Sequence, residues 1–80
     1  LTGVPIVLPD VGTTACRLGL WLVRPGEAVS EGDRVAEVLI PGAVIDVAAP
    51  ADGVFRDKFA RPGDALSAGQ ALGIIEPTEP

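Results

Sequence analysis

Short apolar, β-branched runs separated by glycine- and proline-bearing breaks set the pattern of this chain. The runs are Ile6-Val7-Leu8, Leu18 to Val23, Arg34 to Ile40, Val44 to Val47, Val54 to Ala60 and Ala71 to Ile75. None has the length or the helical period of an amphipathic helix. Brief strands at regular spacing with turn residues between them predict an all-β sandwich or barrel.

A repeat organises these runs. Val23-Arg24-Pro25-Gly26-Glu27-Ala28-Val29-Ser30-Glu31-Gly32-Asp33 recurs, 37 residues later, as Ala60-Arg61-Pro62-Gly63-Asp64-Ala65-Leu66-Ser67-Ala68-Gly69-Gln70. Each copy reads as strand, Pro-Gly turn, short apolar step, Gly turn, strand. Proline presets φ at the second position of a type II turn and glycine accepts the positive φ of the third, so each Pro-Gly pair suits that turn. Two such halves imply a pseudo-two-fold structure built from two similar sheets.

Between the halves lies a hairpin. Glu37-Val38-Leu39-Ile40 leads in, Pro41-Gly42 turns, and Ala43-Val44-Ile45-Asp46-Val47 leads out. A two-residue loop sets Ile40 opposite Ala43, Leu39 opposite Val44, Val38 opposite Ile45 and Glu37 opposite Asp46. Strand residues alternate faces, so Val38, Ile40, Ala43 and Ile45 are expected inward, and Glu37, Leu39, Val44 and Asp46 outward. A type II turn matches strand twist less well than the primed types, which favours a longer loop. The closing residues Pro77 to Pro80 are acidic and proline-bearing and read as the start of a semi-rigid linker, with the domain spanning residues 1–76.

Composition narrows the chemistry. The chain has 80 residues, 48% hydrophobic and 21% charged, enough for one small core. A domain of this size buries only about 60–65% of its unfolded surface, so modest stability is expected. The chain begins at Leu1 and has no methionine, which reads as an excerpt of a longer protein. Arginine outnumbers lysine and alanine is abundant, pointing to a GC-rich bacterial gene. The net charge of −5, with five scattered arginines and one lysine, argues against nucleic acid and anionic membranes as partners and favours solubility. No apolar run approaches the roughly 20 residues of a membrane helix.

The lone Cys16 allows no internal disulfide and agrees with a reducing, cytoplasmic setting; it reads as a small, semi-buried strand residue. There is no histidine for acid–base or metal chemistry. Asp10, Asp46, Asp52, Asp57 and Asp64 are dispersed and read as solvated turn acids. No glycine-rich stretch has the lysine or the strand–helix context of a phosphate loop.

The chain resembles a known family. Leu8-Pro9-Asp10-Val11-Gly12, then Trp21 to Val29 with Glu31-Gly32-Asp33, then Ala36-Glu37-Val38 are similar to the lipoyl domains of 2-oxo acid dehydrogenase acyltransferase components. Ala49-Pro50-Ala51-Asp52-Gly53-Val54, Pro62 to Leu66 and Gly69-Gln70-Ala71-Leu72 continue the resemblance, which spans roughly Val4 to Glu76. It implies a flattened barrel or sandwich of two four-stranded sheets with quasi-two-fold symmetry. In that family a lysine at the hairpin tip takes lipoate, or biotin, by an amide bond. The resemblance puts Gly42 at that position, flanked by Pro41 and Ala43. Glycine has no amine, so neither cofactor is expected. The only lysine, Lys58, corresponds to Trp21 under the repeat. It is expected in mid-strand, its stem against the core edge and its ammonium in water.

The resemblance therefore implies a degenerate, non-catalytic lipoyl-like domain, an interaction or architectural module whose partners are other domains or subunits of a multienzyme assembly. One alternative is an accessory domain of an acyltransferase component whose acyl-carrying lysine lies elsewhere. Another is an adaptor in a transport or secretion assembly. Leu39 and Val44 stand where the family has polar residues, and they form the candidate interaction patch, with weak self-association as one outcome.

Overall fold

A computed structural model describes residues 3–78. Its eight strands are β1 (Val4–Val7), β2 (Cys16–Trp21), β3 (Ala28–Val29), β4 (Arg34–Ile40), β5 (Ala43–Ala48), β6 (Gly53–Lys58), β7 (Ala65–Leu66) and β8 (Ala71–Pro77). They form two antiparallel four-stranded sheets, ordered β1-β8-β6-β3 and β5-β4-β2-β7. Each sheet takes two strands from each half of the chain. The expected all-β, two-sheet architecture is what the chain adopts.

The repeat reappears atom by atom. At Arg24–Glu27 the Glu27 N–H donates to Arg24 O at 3.0 Å, and the Arg24 N–H donates to the Glu27 carboxylate at 2.8 Å. At Arg61–Asp64 the same two bonds are 3.0 and 2.9 Å. Ser30–Asp33 and Ser67–Gln70 repeat the device, each Ser N–H donating at 2.9 Å to the side chain three residues on. The four third-position glycines, Gly26, Gly32, Gly63 and Gly69, have φ of 97°, 92°, 93° and 83°, as type II turns require. Glu27, Asp33, Asp64 and Gln70 are thus turn locks, which is more specific than the solvated role expected for Asp64.

The two short steps after the Pro-Gly turns are themselves strands, β3 and β7, and through them the halves interlock. Leu18 N–H donates to Asp64 O at 3.0 Å and Gly63 N–H donates to Leu18 O at 2.8 Å. The counterpart bonds, Phe55 N–H to Glu27 O and Gly26 N–H to Phe55 O, are 2.9 and 2.7 Å. Even the irregularities come in pairs. The extra residues at Gly19 in β2 and Arg56 in β6 are 37 positions apart, as are those at Val35 in β4 and Leu72 in β8. Val35 and Leu72 are fully buried, so these bulges turn one more apolar residue inward than strict alternation would.

The core is likewise paired: Leu18 with Phe55, Val23 with Ala60, Val29 with Leu66, Val35 with Leu72 and Val38 with Ile75. Trp21 breaks the symmetry. Its indole N–H donates to Ala60 O at 2.9 Å and its ring lies 5.1 Å from that of Phe55. Room for it comes from Gly73, where a Cβ would come within 3.2 Å of the indole and 2.9 Å of the Phe55 ring. Buried Cys16, whose thiol reaches Thr13 O at 3.4 Å, fills a small core position as expected.

Several boundaries differ from the sequence reading. β2 begins at Cys16 and stops at Trp21, because Leu22 turns away while its N–H donates to Val35 O at 2.8 Å. β6 likewise stops at Lys58, and the Phe59 N–H donates to Leu72 O at 2.8 Å. β8 continues through Pro77, in register with Gly53, and the Thr78 N–H approaches Asp52 O at 3.4 Å, so the folded unit passes the expected limit at residue 76. Of the expected linker, Glu79 and Pro80 lie outside the described residues.

Because Phe55 is fully buried against Trp21, Phe55→Ala should cost about 3–5 kcal/mol. For a domain whose total stability is expected near 5 kcal/mol, that leaves about 0–2 kcal/mol at 25 °C, so the urea midpoint followed by Trp21 fluorescence should fall to less than half its original value.

Candidate functional site: the β4–β5 hairpin tip

β4 and β5 form the hairpin in the expected register, with Ile40 opposite Ala43, Leu39 opposite Val44, Val38 opposite Ile45 and Glu37 opposite Asp46. The loop is the two-residue Pro41-Gly42, not a longer one. Gly42 has φ of 77°, the value of the third position in a type II turn, so the Pro-Gly chemistry outweighs the twist preference for primed turns. Val38 is buried and Ile40 and Ile45 are half-buried, as their inward face requires. Ala43, expected on the same inward face, is exposed instead.

Pro41, Gly42 and Ala43 are all exposed at the tip. A Cβ added to Gly42 would meet nothing within 4 Å. The place is therefore open to a side chain and disfavours one only through its left-handed backbone. An amide-linked cofactor needs a primary amine, and these three residues offer none, so the tip does not fit lipoate or biotin. Lys58 is exposed too, at the end of β6 rather than in mid-strand, and it belongs to the other sheet, in register with Gly73.

Leu39 and Val44 lie on the outer face, 44% and 55% exposed, as the alternation requires. Glu37 is half-buried, while Asp46 is exposed and meets Arg34 at 3.7 Å. The sequence reading did not include Leu20, which the bulge at Gly19 turns outward, opposite Glu37. It also did not include an open cleft of about 300 Å³ beside the tip, lined by Thr14, Ala15, Arg17, Leu39, Pro41 and Ala65 among others. The repeat held a signal for the first, since Leu20 aligns with the charged Asp57. Nothing in the linear sequence brings Ala15 and Ala65 to the hairpin. Among the described residues, no three His, Cys, Asp or Glu side chains converge as metal ligands would.

Comparison with known proteins agrees with this architecture. A family model described as biotin-requiring enzyme, the biotin–lipoyl model, matches residues 4–75. The lipoamide acyltransferase component of the branched-chain alpha-keto acid dehydrogenase complex of Pseudomonas putida is 29% identical over 73 residues, covering 89% of this chain and 17% of that protein. The dihydrolipoyllysine-residue acetyltransferase component of the acetoin cleaving system of the same organism is 32% identical over 62 residues, covering 78% and 17%. The chain thus spans about a sixth of the length of these relatives. The solution structure of the lipoyl domain of the 2-oxoglutarate dehydrogenase complex from Azotobacter vinelandii superposes with a TM-score of 0.68, over 98% of this chain and all of that one, at 24% identity. That likeness establishes the shared fold.

Gly42→Lys should fold but lose about 1–2 kcal/mol, the cost of a side chain in left-handed backbone. Pro41→Asp with Gly42→Lys can adopt a type I turn, which needs no positive φ. Co-expressed with a lipoate ligase, the double variant is expected to gain a lipoyl group on at least part of the population, read by intact mass. A folded double variant that stays unmodified would show that ligase contacts outside the tip are also missing.

Proposed function

The chain belongs to the biotin–lipoyl domain family, and from that premise we propose that this copy carries neither lipoate nor biotin and serves as a non-catalytic interaction or architectural module of a larger multidomain protein. The observation that carries this reading is Gly42, at the apex of a well-formed two-residue turn, where the family presents its acceptor lysine. The hairpin fold depends on the turn and the attachment chemistry depends on the side chain. Pro41-Gly42 satisfies the first and removes the second.

The remaining polar chemistry supports a non-catalytic role. Glu27, Asp33, Asp64 and Gln70 at the four turns are spent on backbone N–H groups, and Arg56 is held by Glu76. The outer pair Leu39 and Val44 offers the module a surface. Burying both against a partner would contribute on the order of 2–5 kcal/mol before association costs, against under about 1 kcal/mol for their mutual cross-strand contact. Partners are then other domains or subunits of its assembly, in a cytoplasmic setting. A second reading draws on the two Pseudomonas putida relatives, both acyltransferase components. In it, this copy is an accessory domain of such a component, with the working lysine on another domain.

Intact mass after co-expression with lipoate and biotin ligases should equal that of the bare chain. A lipoyl or biotinyl increment on Lys58 would overturn the non-carrier reading. Replacing Leu39 and Val44 together with Thr should leave stability within about 1 kcal/mol while weakening capture of the parent assembly by the immobilised domain. Unchanged capture would remove this pair from the interaction surface.

A further inference from the structure

We infer that the outer face of the second sheet at its hairpin end docks a short extended segment of a partner polypeptide that sets apolar side chains beside a carboxylate. This deepens the interaction-module reading and rests on it.

The internal repeat supplies a control within the same molecule. Arg56 and Glu76 form an ion pair across the outer face of the first sheet, at the bulge of β6. The equivalent positions on the second sheet, at the equivalent bulge of β2, are Gly19 and Leu39. Leu39 lies over the bare backbone there: a Cβ on Gly19 would sit 3.1 Å from Leu39 Cγ. Leu20 likewise stands where the first sheet has Asp57. Both sheets have the same strand pairing and the same bulge, so backbone requirements do not account for the exchange of charges for leucines. What remains is an apolar strip of Leu20, Leu39 and Val44, all more than two-fifths exposed.

The strip adjoins the cleft beside the tip, whose walls include Ala15, Pro41 and Ala65. Arg17 is the one charged residue lining it, in a chain of net charge −5. Its Nη1 donates to Gly63 O at 2.9 Å, which holds the guanidinium in place. Among the described residues it makes no ion pair, whereas Arg34 and Arg56 do. A guanidinium pinned through one N–H keeps the others for a carboxylate, and apolar walls make that recognition directional. Three side chains and a cleft of about 300 Å³ fall short of a stable protein–protein interface, which buries roughly 1,200 Å² or more. They suit a short linear segment, whose alternating side chains reach strip and cleft together.

The test titrates the ¹⁵N-labelled chain with end-capped synthetic peptides of alternating leucine and glutamate, leucine and lysine, or serine and glutamate. Only the leucine–glutamate peptide should shift the amides of Ala15, Arg17, Leu39 and Val44, with a dissociation constant in the millimolar range. Arg17→Gln should weaken it roughly threefold and Leu39→Glu should abolish it, whereas Arg56→Gln on the other sheet should have no effect. Val44→Thr serves as the apolar variant if Leu39→Glu loses its folded spectrum. Absence of localised shifts at millimolar peptide, or equal binding of the leucine–lysine peptide, would overturn the inference. So would dilution-dependent shifts of the same amides without peptide, which would assign the face to a second copy of the chain. None of these outcomes bears on the mass measurement, so failure here and failure of the non-carrier reading are distinguishable.

Discussion

The structure depends on a reciprocal exchange of backbone hydrogen bonds between its halves. The long strand of each half, β2 or β6, pairs with the short strand that follows the Pro-Gly turn of the other half, β7 or β3. Leu18 and Phe55 sit at the two crossing points, each fully buried and each bonded through its N–H and its carbonyl to the opposite turn. Neither sheet can be completed by one half alone. Any change at a turn is therefore felt in the sheet across the core, and the domain should fold as a single cooperative unit despite its size.

The turn locks follow from that constraint. A turn that carries the opposing strand must hold its geometry, and the side chain at its last position does so by accepting the N–H of its first. Glu27, Asp33, Asp64 and Gln70 differ in length and charge but perform the same act. The glycine ahead of each supplies the positive φ at no steric cost. The paired bulges belong to the same design: they bring Val35 and Leu72 into the core and leave Leu20 and Asp57 facing solvent.

With the frame so fixed, divergence is confined to positions the frame does not use. The outer faces differ at equivalent positions: the first sheet has Arg56, Asp57 and Glu76 where the second has Gly19, Leu20 and Leu39. At the hairpin tip, Pro41-Gly42 closes β4 onto β5 in an unbroken register down to Ala36 and Val47, and the space around Gly42 is open, so the frame makes no demand on the side chain carried there.

Much of this was legible in the linear sequence because the governing terms are local or periodic. Proline and glycine fix the turns by their allowed φ values, alternation sorts Leu39 and Val44 from Val38 and Ile45, and the 37-residue repeat encodes the pseudo-two-fold. The absence of an amine at Gly42 is likewise a property of the residue itself. Tertiary structure decided what alternation cannot express. Bulges shift the phase, so Val35 and Leu72 turn inward and Leu20 turns outward. Two-residue strands such as β3 and β7 are too short to show a period and exist only because the opposite half pairs with them. Trp21 takes its place because Gly73 on the other sheet leaves room for it. The cleft that joins Ala15, Arg17 and Ala65 to Pro41 is created by the interlock of the halves, since only the pairing of β7 with β2 brings residues so distant in sequence beside the hairpin tip.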